Sequence, residues 1–154
     1  MGMDPAITRD SPMQLTKELM ITIVDDSAAA TNLLTSLCRD IAPDAQVIVF
    51  ASAETALPYL AQNGSDLVIV DLTLEEMNGH QLLSRIRNIS HHRTTPVVVM
   101  SGSQDPDDRV TALAGGALEF VPKSTDLDET ERQLRELLRM AADHAARHHT
   151  RGAS

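Results

Sequence analysis

A chain of 154 residues with 42% hydrophobic content is long enough to bury one continuous core and suits a single domain. A formal net charge of -9 argues against a phosphate-backbone binder, because nucleic-acid affinity rests largely on Lys and Arg replacing counterions. The lone Cys38 permits no internal disulfide, and no stretch approaches the roughly 20 apolar residues that span a bilayer or forms a signal peptide's apolar centre, so a soluble cytoplasmic protein is expected.

Residues 1–19 show little periodicity and are read as an N-terminal extension, native or introduced, with no function assigned. After them, short apolar runs recur at 20–24 (MITIV), 46–51 (QVIVFA), 67–70 (LVIV), 96–100 (PVVVM) and 118–121 (LEFV). Most lack clean alternation, as expected of strands covered on both faces of a parallel sheet. Amphipathic stretches separate them. Leu33, Leu34, Leu37 and Ile41 keep helical spacing, and so do Leu82, Leu83, Ile86 and Ile89. Cys38 is expected to be a small buried side chain on the first of these helices. Pro58 should kink or shorten the second helix, because proline removes a backbone hydrogen bond. Asp105 reads as an N-cap with Pro106 at the first helical position, and Asp126 with Glu129 reads as a capping-box-like pair before Leu134, Leu137 and Leu138. Five strand–helix alternations predict a (βα)5 doubly wound, five-stranded parallel sheet over 20–149, followed by a tail at 150–154. A last helix from Asp126 to about His149 would run roughly 36 Å at 1.5 Å per residue and project past the sheet.

In open α/β sheets, ligands bind beyond the carboxyl ends of the strands. That rim would collect Asp25 and Asp26 after the first strand, Asp71 after the third, Ser101 after the fourth and Lys123 after the fifth. Each alone is an ordinary cap, turn residue or solvated charge; five at equivalent positions are harder to obtain that way. Adjacent carboxylates repel unless a cation neutralises them, and Mg²⁺ prefers a few carboxylate oxygens together with phosphate oxygens and water. With Lys123 as a further positive charge, the set points to phosphoryl chemistry in which a carboxylate is the nucleophile.

Over residues 20 to about 141 the chain resembles the receiver domains of two-component response regulators, which have a flavodoxin-like fold. The resemblance rests on the pair Asp25–Asp26, on Asp71, on MNG at 77–79, on Ser101 followed by Gly102, and on Lys123 with the aromatic Phe120 three residues earlier. It implies that Asp71 accepts a phosphoryl group from a histidine kinase or phosphotransfer protein. It further implies that Asp25, Asp26, Asp71 and the Thr73 backbone carbonyl arrange Mg²⁺, and that Ser101 and Lys123 hold the phosphoryl oxygens. Phosphorylation would then switch the face made by the fourth helix, fifth strand and fifth helix, with Phe120 changing its burial. The chain would be a signalling phosphoacceptor rather than an enzyme acting on other substrates. Two departures stand out: Glu75 replaces a frequent proline, and Ser124 follows Lys123 where a cis-proline is common, so a trans peptide is expected there.

Two alternatives compete with this reading. A phosphorylation-independent binding module with the same fold would not need the full acidic, hydroxyl and lysine set. A haloacid-dehalogenase-like phosphatase would carry a second Asp where this chain has Thr73. His144 and His148 have i, i+4 metal-ligand spacing without a third ligand, while His80, His91 and His92 read as solvated. Arg132, Arg135 and Arg139 recur along the last helix, and Asp107 and Asp108 open the fourth; across a two-fold axis these charges would suit a phosphorylation-favoured dimer, unless they are ordinary surface pairs. A downstream partner or tethered effector is implied, without its identity.

Overall fold

The computed structural model describes Met13 and residues 18–152, with side chains through residue 148. Strands β1 (Met20–Val24), β2 (Gln46–Phe50), β3 (Leu67–Asp71), β4 (Val97–Ser101) and β5 (Glu119–Pro122) alternate with helices α1 (Ala28–Ile41), α2 (Ala53–Gln62), α3 (Gly79–Arg87), α4 (Pro106–Ala114) and α5 (Leu127–Gly152). A short 3-10 turn at Ser90–His92 leads into β4. All strand pairs are parallel, in the order β2-β1-β3-β4-β5, the flavodoxin-like arrangement expected.

The sheet is buried on both faces because its strands are apolar at odd and even positions alike. Along β3, Leu67 and Ile69 join one core with Leu34, Leu37 and Cys38 of α1 and Leu134, Leu137 and Leu138 of α5. Val68 and Val70 point the other way, into a core with Ala56 and Leu60 of α2, Leu82, Leu83 and Ile86 of α3, and Ala112 of α4. Each fully buried Leu or Ile stabilises by about 1.5–3 kcal/mol relative to exposure, so two such layers are the main cohesive force. The edge strand β2 departs from the pattern: Val49 is 41% exposed.

Several local expectations change. Leu33 faces out from α1, while Cys38 takes the buried position expected of it. Helix α2 continues through Pro58 for ten residues; Ser52 caps its start, accepting from the Thr55 N–H at 3.2 Å. Ile89 lies beyond α3, and Leu19, assigned to the extension, is fully buried, with its carbonyl accepting from Gln46 N–H. The Met13 N–H donates to the Ile41 carbonyl at 2.7 Å. The rest of the extension, apart from Glu18, lies outside the described residues. Helix α5 runs into the expected tail and stays packed through Ala145, so its inner face is covered further along than expected; residues 153–154 lie outside the described range. At its start Asp126 accepts from the Asp128 and Glu129 N–H groups, while the Glu129 carboxylate turns to Arg132 and Gln133 instead of closing a capping box. No helix among the described residues is long and apolar enough to cross a membrane.

Candidate functional site

β1 lies between β2 and β3, so chain direction outward from the sheet reverses at the β1/β3 junction. A crevice opens there at the carboxyl ends. β1 delivers Asp25 to it and β3 ends on Asp71; both side chains are buried, while Asp26 is exposed at the rim. One carboxylate oxygen from each of the three lies within 4.8 Å of the others. Lys123, from the end of β5, reaches across β4 with Nζ 3.2 Å from Asp25 Oδ2 and 3.4 Å from Asp71 Oδ1.

The electrostatics follow from this packing. Burial pushes the Asp25 carboxyl above its ordinary value and Asp71 adds to the rise, against the Ser27 N–H bond at 2.9 Å and the Lys123 charge. Burial works to lower the Lys123 ammonium, but the Asp71 and Asp25 charges outweigh it and leave it raised. One ammonium thus stands beside a cluster of three carboxylates and pairs with two of them. That excess of hard oxygen donors is the donor set a divalent cation such as Mg²⁺ takes, so the residues present fit the ion.

The loop behind Asp71 is closely held. The Thr73 N–H is 3.3 Å from Asp71 Oδ1, and its hydroxyl is 3.3 Å from each carboxylate oxygen. Glu75 is exposed, and the next residue, Glu76, has φ 57°, a left-handed conformation that costs an L side chain about 1–2 kcal/mol. Gly79 is required by close approach, since a Cβ there would stand 2.8 Å from Leu72 Cα and 2.9 Å from the Asp71 carbonyl oxygen. Asn78 and Gln81 form a capping box that starts α3 directly after this contact.

Ser101 is buried at the end of β4, one residue past the partner of Asp71, and its Oγ accepts from Ser103 N–H at 2.8 Å. Phe120 is buried, and its carbonyl accepts from Arg109 at 3.2 Å. No cis peptide occurs among the described residues, as expected for Lys123–Ser124.

Other sequence-derived candidates sit differently. Asp107 is exposed, but Asp108 turns inward, accepting from the Ser103 hydroxyl at 2.7 Å and standing 3.3 Å from His80 Nε2. The Ser103 bond, and then His80, hold the Asp108 carboxyl below its ordinary value. Arg132, Arg135 and Arg139 each face a glutamate of their own helix, Glu129, Glu131 and Glu136. The basic stripe is therefore largely neutralised within α5. His92, expected to be solvated, is fully buried: Nε2 reaches the Leu60 and Asn63 carbonyls and Nδ1 the Thr95 hydroxyl, all at 2.9 Å. Because carbonyls only accept, Nε2 carries the proton. His91 also bonds the Leu60 carbonyl, at 2.9 Å, and the His144 and His148 rings stack 3.8 Å apart. Neither histidine pair joins a metal-ligating group of three among the described residues.

Fold and site define a flavodoxin-like α/β protein with a lysine-braced acidic pocket at its switch point. A family model described as the response regulator receiver domain matches residues 21–135, and the chain belongs to that family. It is 31% identical over 105 residues to the cyclic di-GMP phosphodiesterase response regulator RpfG of Xanthomonas campestris pv. campestris, covering 68% of this chain but 28% of that protein. The chain thus spans less than a third of that relative. Among solved structures, the phosphorylated cyanobacterial phytochrome response regulator RcpA is similar in fold, with a TM-score of 0.72 at 23% identity over 79% of this chain and 91% of that one. The Mn(2+)-bound form of the response regulator Rcp1 gives 0.70 at 23% identity, covering 77% and 91%.

Proposed function

We propose that Asp71 is the phosphoacceptor of a cytoplasmic signalling receiver, loaded by the phosphohistidine of a histidine kinase or phosphotransfer protein. The observation that carries this reading is the clustering of Asp25, Asp26 and Asp71 within 4.8 Å, with Lys123 bridging Asp25 and Asp71. A carboxylate oxygen of Asp71 attacks phosphorus, the phosphorus–nitrogen bond breaks, and the imidazole leaves with the bonding pair and is protonated. Asp25, Asp26, Asp71 and the Thr73 carbonyl would hold a divalent cation, which would supply positive charge to the phosphoryl oxygens. Lys123 keeps Asp25 compensated and moves from Asp71 to a phosphoryl oxygen. The Thr73 N–H orients the Asp71 carboxylate. Ser101 spends only acceptor capacity on Ser103, so its own hydrogen remains for a phosphoryl oxygen. Such a bond would pull on the Ser103–Asp108 link and so on the start of α4, biasing the face of α4, β5 and α5 toward a downstream protein, a tethered effector or a second copy. Two exposed apolar residues of α4, Val110 and Leu113, give that face something to bury. The RcpA relative, phosphorylated in its crystal, and the Mn(2+)-bound Rcp1 support the same chemistry by analogy.

The test is incubation with acetyl phosphate and Mg²⁺ followed by intact mass. One acid-stable, hydroxylamine-sensitive phosphoryl adduct is expected on the wild type and none on Asp71→Asn, whose amide is not nucleophilic. Equal adduct on both proteins would overturn the assignment, and absence of any adduct would favour a phosphorylation-independent binding module.

A further inference from the structure

At the opposite end of the sheet, where the strands begin, one cleft is lined by more basic than acidic side chains. The segment before β4 and the segment before β5 form two walls of a cleft of about 680 Å³, closed on a third side by the last turns of α5. Arg87, at the end of α3, holds the two walls together. Its Nη1 donates to the His92 and Thr95 carbonyls at 2.8 and 2.7 Å, and its Nη2 to the Gly116 carbonyl at 2.6 Å. These three bonds leave two of the five guanidinium hydrogens unspent. Among the described residues no carboxylate stands within ion-pair distance of Arg87, and burial pushes its guanidinium below the ordinary value. Arg93 and Arg147 line the same cleft, both exposed and likewise outside the ion pairs found among the described residues. Against three guanidinium groups the lining has one carboxylate, Asp143, while Leu118 and Met140 give it an apolar side.

We propose that this cleft binds a small organic phosphate of mononucleotide size, with its phosphates on Arg93, Arg147 and the remaining donors of Arg87 and its apolar body against Leu118 and Met140. Guanidinium groups match phosphate oxygens in geometry and are only weakly hydrated, so an excess of them around a concave site favours phosphate over a solvated cation face. The volume lies within the range of about 300–1,000 Å³ usual for small-molecule sites, and the acidic pocket at the far rim would repel the same ligand.

The experiment titrates ATP, adenosine and pyrophosphate separately into the full chain at low salt with EDTA, so that no metal bridges a nucleotide to Asp71. Two-dimensional amide NMR reads the site. ATP is expected to shift Thr94, Thr95, Gly116 and Leu118, to bind about tenfold or more tightly than adenosine or pyrophosphate, and to lose about tenfold in affinity in the Arg93→Glu, Arg147→Glu double variant. Both substituted residues are exposed, so an unchanged denaturation midpoint checks that the variant is folded. No shift at millimolar ATP, shifts confined to the Asp25 and Asp71 end, or equal affinity in the double variant would each overturn the site. Pyrophosphate binding as tightly as ATP would overturn the ligand class. Phosphorylation of Asp71 enters none of these readouts, so this proposal fails or stands apart from the one above.

Discussion

The two rims of the sheet are built from the same strands but solve opposite electrostatic problems. At the carboxyl rim, three carboxylates cluster and one ammonium pairs with two of them, so repulsion is relieved by Lys123 and backbone N–H groups. At the amino rim, a guanidinium is cradled by three carbonyls with no carboxylate in reach among the described residues. Part of this polarity is built into parallel strands, which end in carbonyls on one side and begin with N–H groups on the other. The side chains go further: the first rim gathers like charges, while at the second Arg87 ties loops together. Removing a charge should therefore loosen the amino rim and relax the carboxyl rim.

The largest effect is expected from Arg87→Met, which leaves three carbonyls without their cationic donor. Bonds to charged groups contribute about 1.5–3 kcal/mol each when buried, and partial resolvation of a half-buried site should bring the total loss to about 2–4 kcal/mol. A urea denaturation midpoint indistinguishable from wild type would show that the clamp contributes nothing. Gly79→Ala comes next, at about 1–3 kcal/mol, because its Cβ meets backbone atoms of Leu72 and Asp71 that cannot turn aside. Thermal melting measures it, and amide shifts at Asp71 and Thr73 should accompany the loss. Asp25→Asn has the reverse sign: with EDTA present the fold gains up to about 1 kcal/mol, since a buried like charge is removed, while Mg²⁺ affinity drops by about tenfold or more. Loss of stability together with unchanged Mg²⁺ binding would mean that Asp25 serves the turn and not the ion.

The smallest effect is a pH dependence that separates the rims. Burial first, then the His91 and Arg87 charges, depress the His92 pKa against its two carbonyl bonds. Below the unfolded value of about 6.5, the unfolded chain therefore binds the proton that folded His92 refuses, and stability falls as pH drops toward the folded pKa. Asp25 acts the other way at lower pH: its folded pKa is raised, so between that value and 3.8 the native state binds more proton and gains stability. Denaturation midpoints of His92→Gln and wild type should converge as pH falls below about 6.5. Parallel curves would remove His92 from the account.

The carboxyl rim was legible in the sequence because the topology follows from apolar runs and each candidate residue sits at a strand end, a place that pattern alone locates. Asp25, Asp71 and Lys123 meet there as expected. The amino rim was not legible. His92 is buried by a contact 32 residues away in sequence, Leu60, and nothing in SHHRTTP announces it. Arg87 stands at the end of an amphipathic helix, where a solvated cation is the ordinary expectation, and its three carbonyl partners belong to a short 3-10 turn and to loops. Asp108 looked like one of two surface acids at a helix start; only the fold shows that His80 and Ser103 turn it inward. The Asn78–Gln81 capping box was missed, although an N-cap residue followed three later by Gln is its sequence signature.

Cys38 carries a practical consequence. Its thiol lies wholly inside the layer between α1 and the sheet, and burial pushes its pKa up to about 12. The thiolate is the form that attacks thiol reagents, so near neutral pH the folded protein presents almost none to them. Modification must wait until α1 lifts away. In a chain with one cysteine, the alkylation rate then serves as a stopwatch for opening of that layer, with no dye or tag added. The same silence leaves a cysteine introduced on either rim as the one site that a probe would label in the folded state.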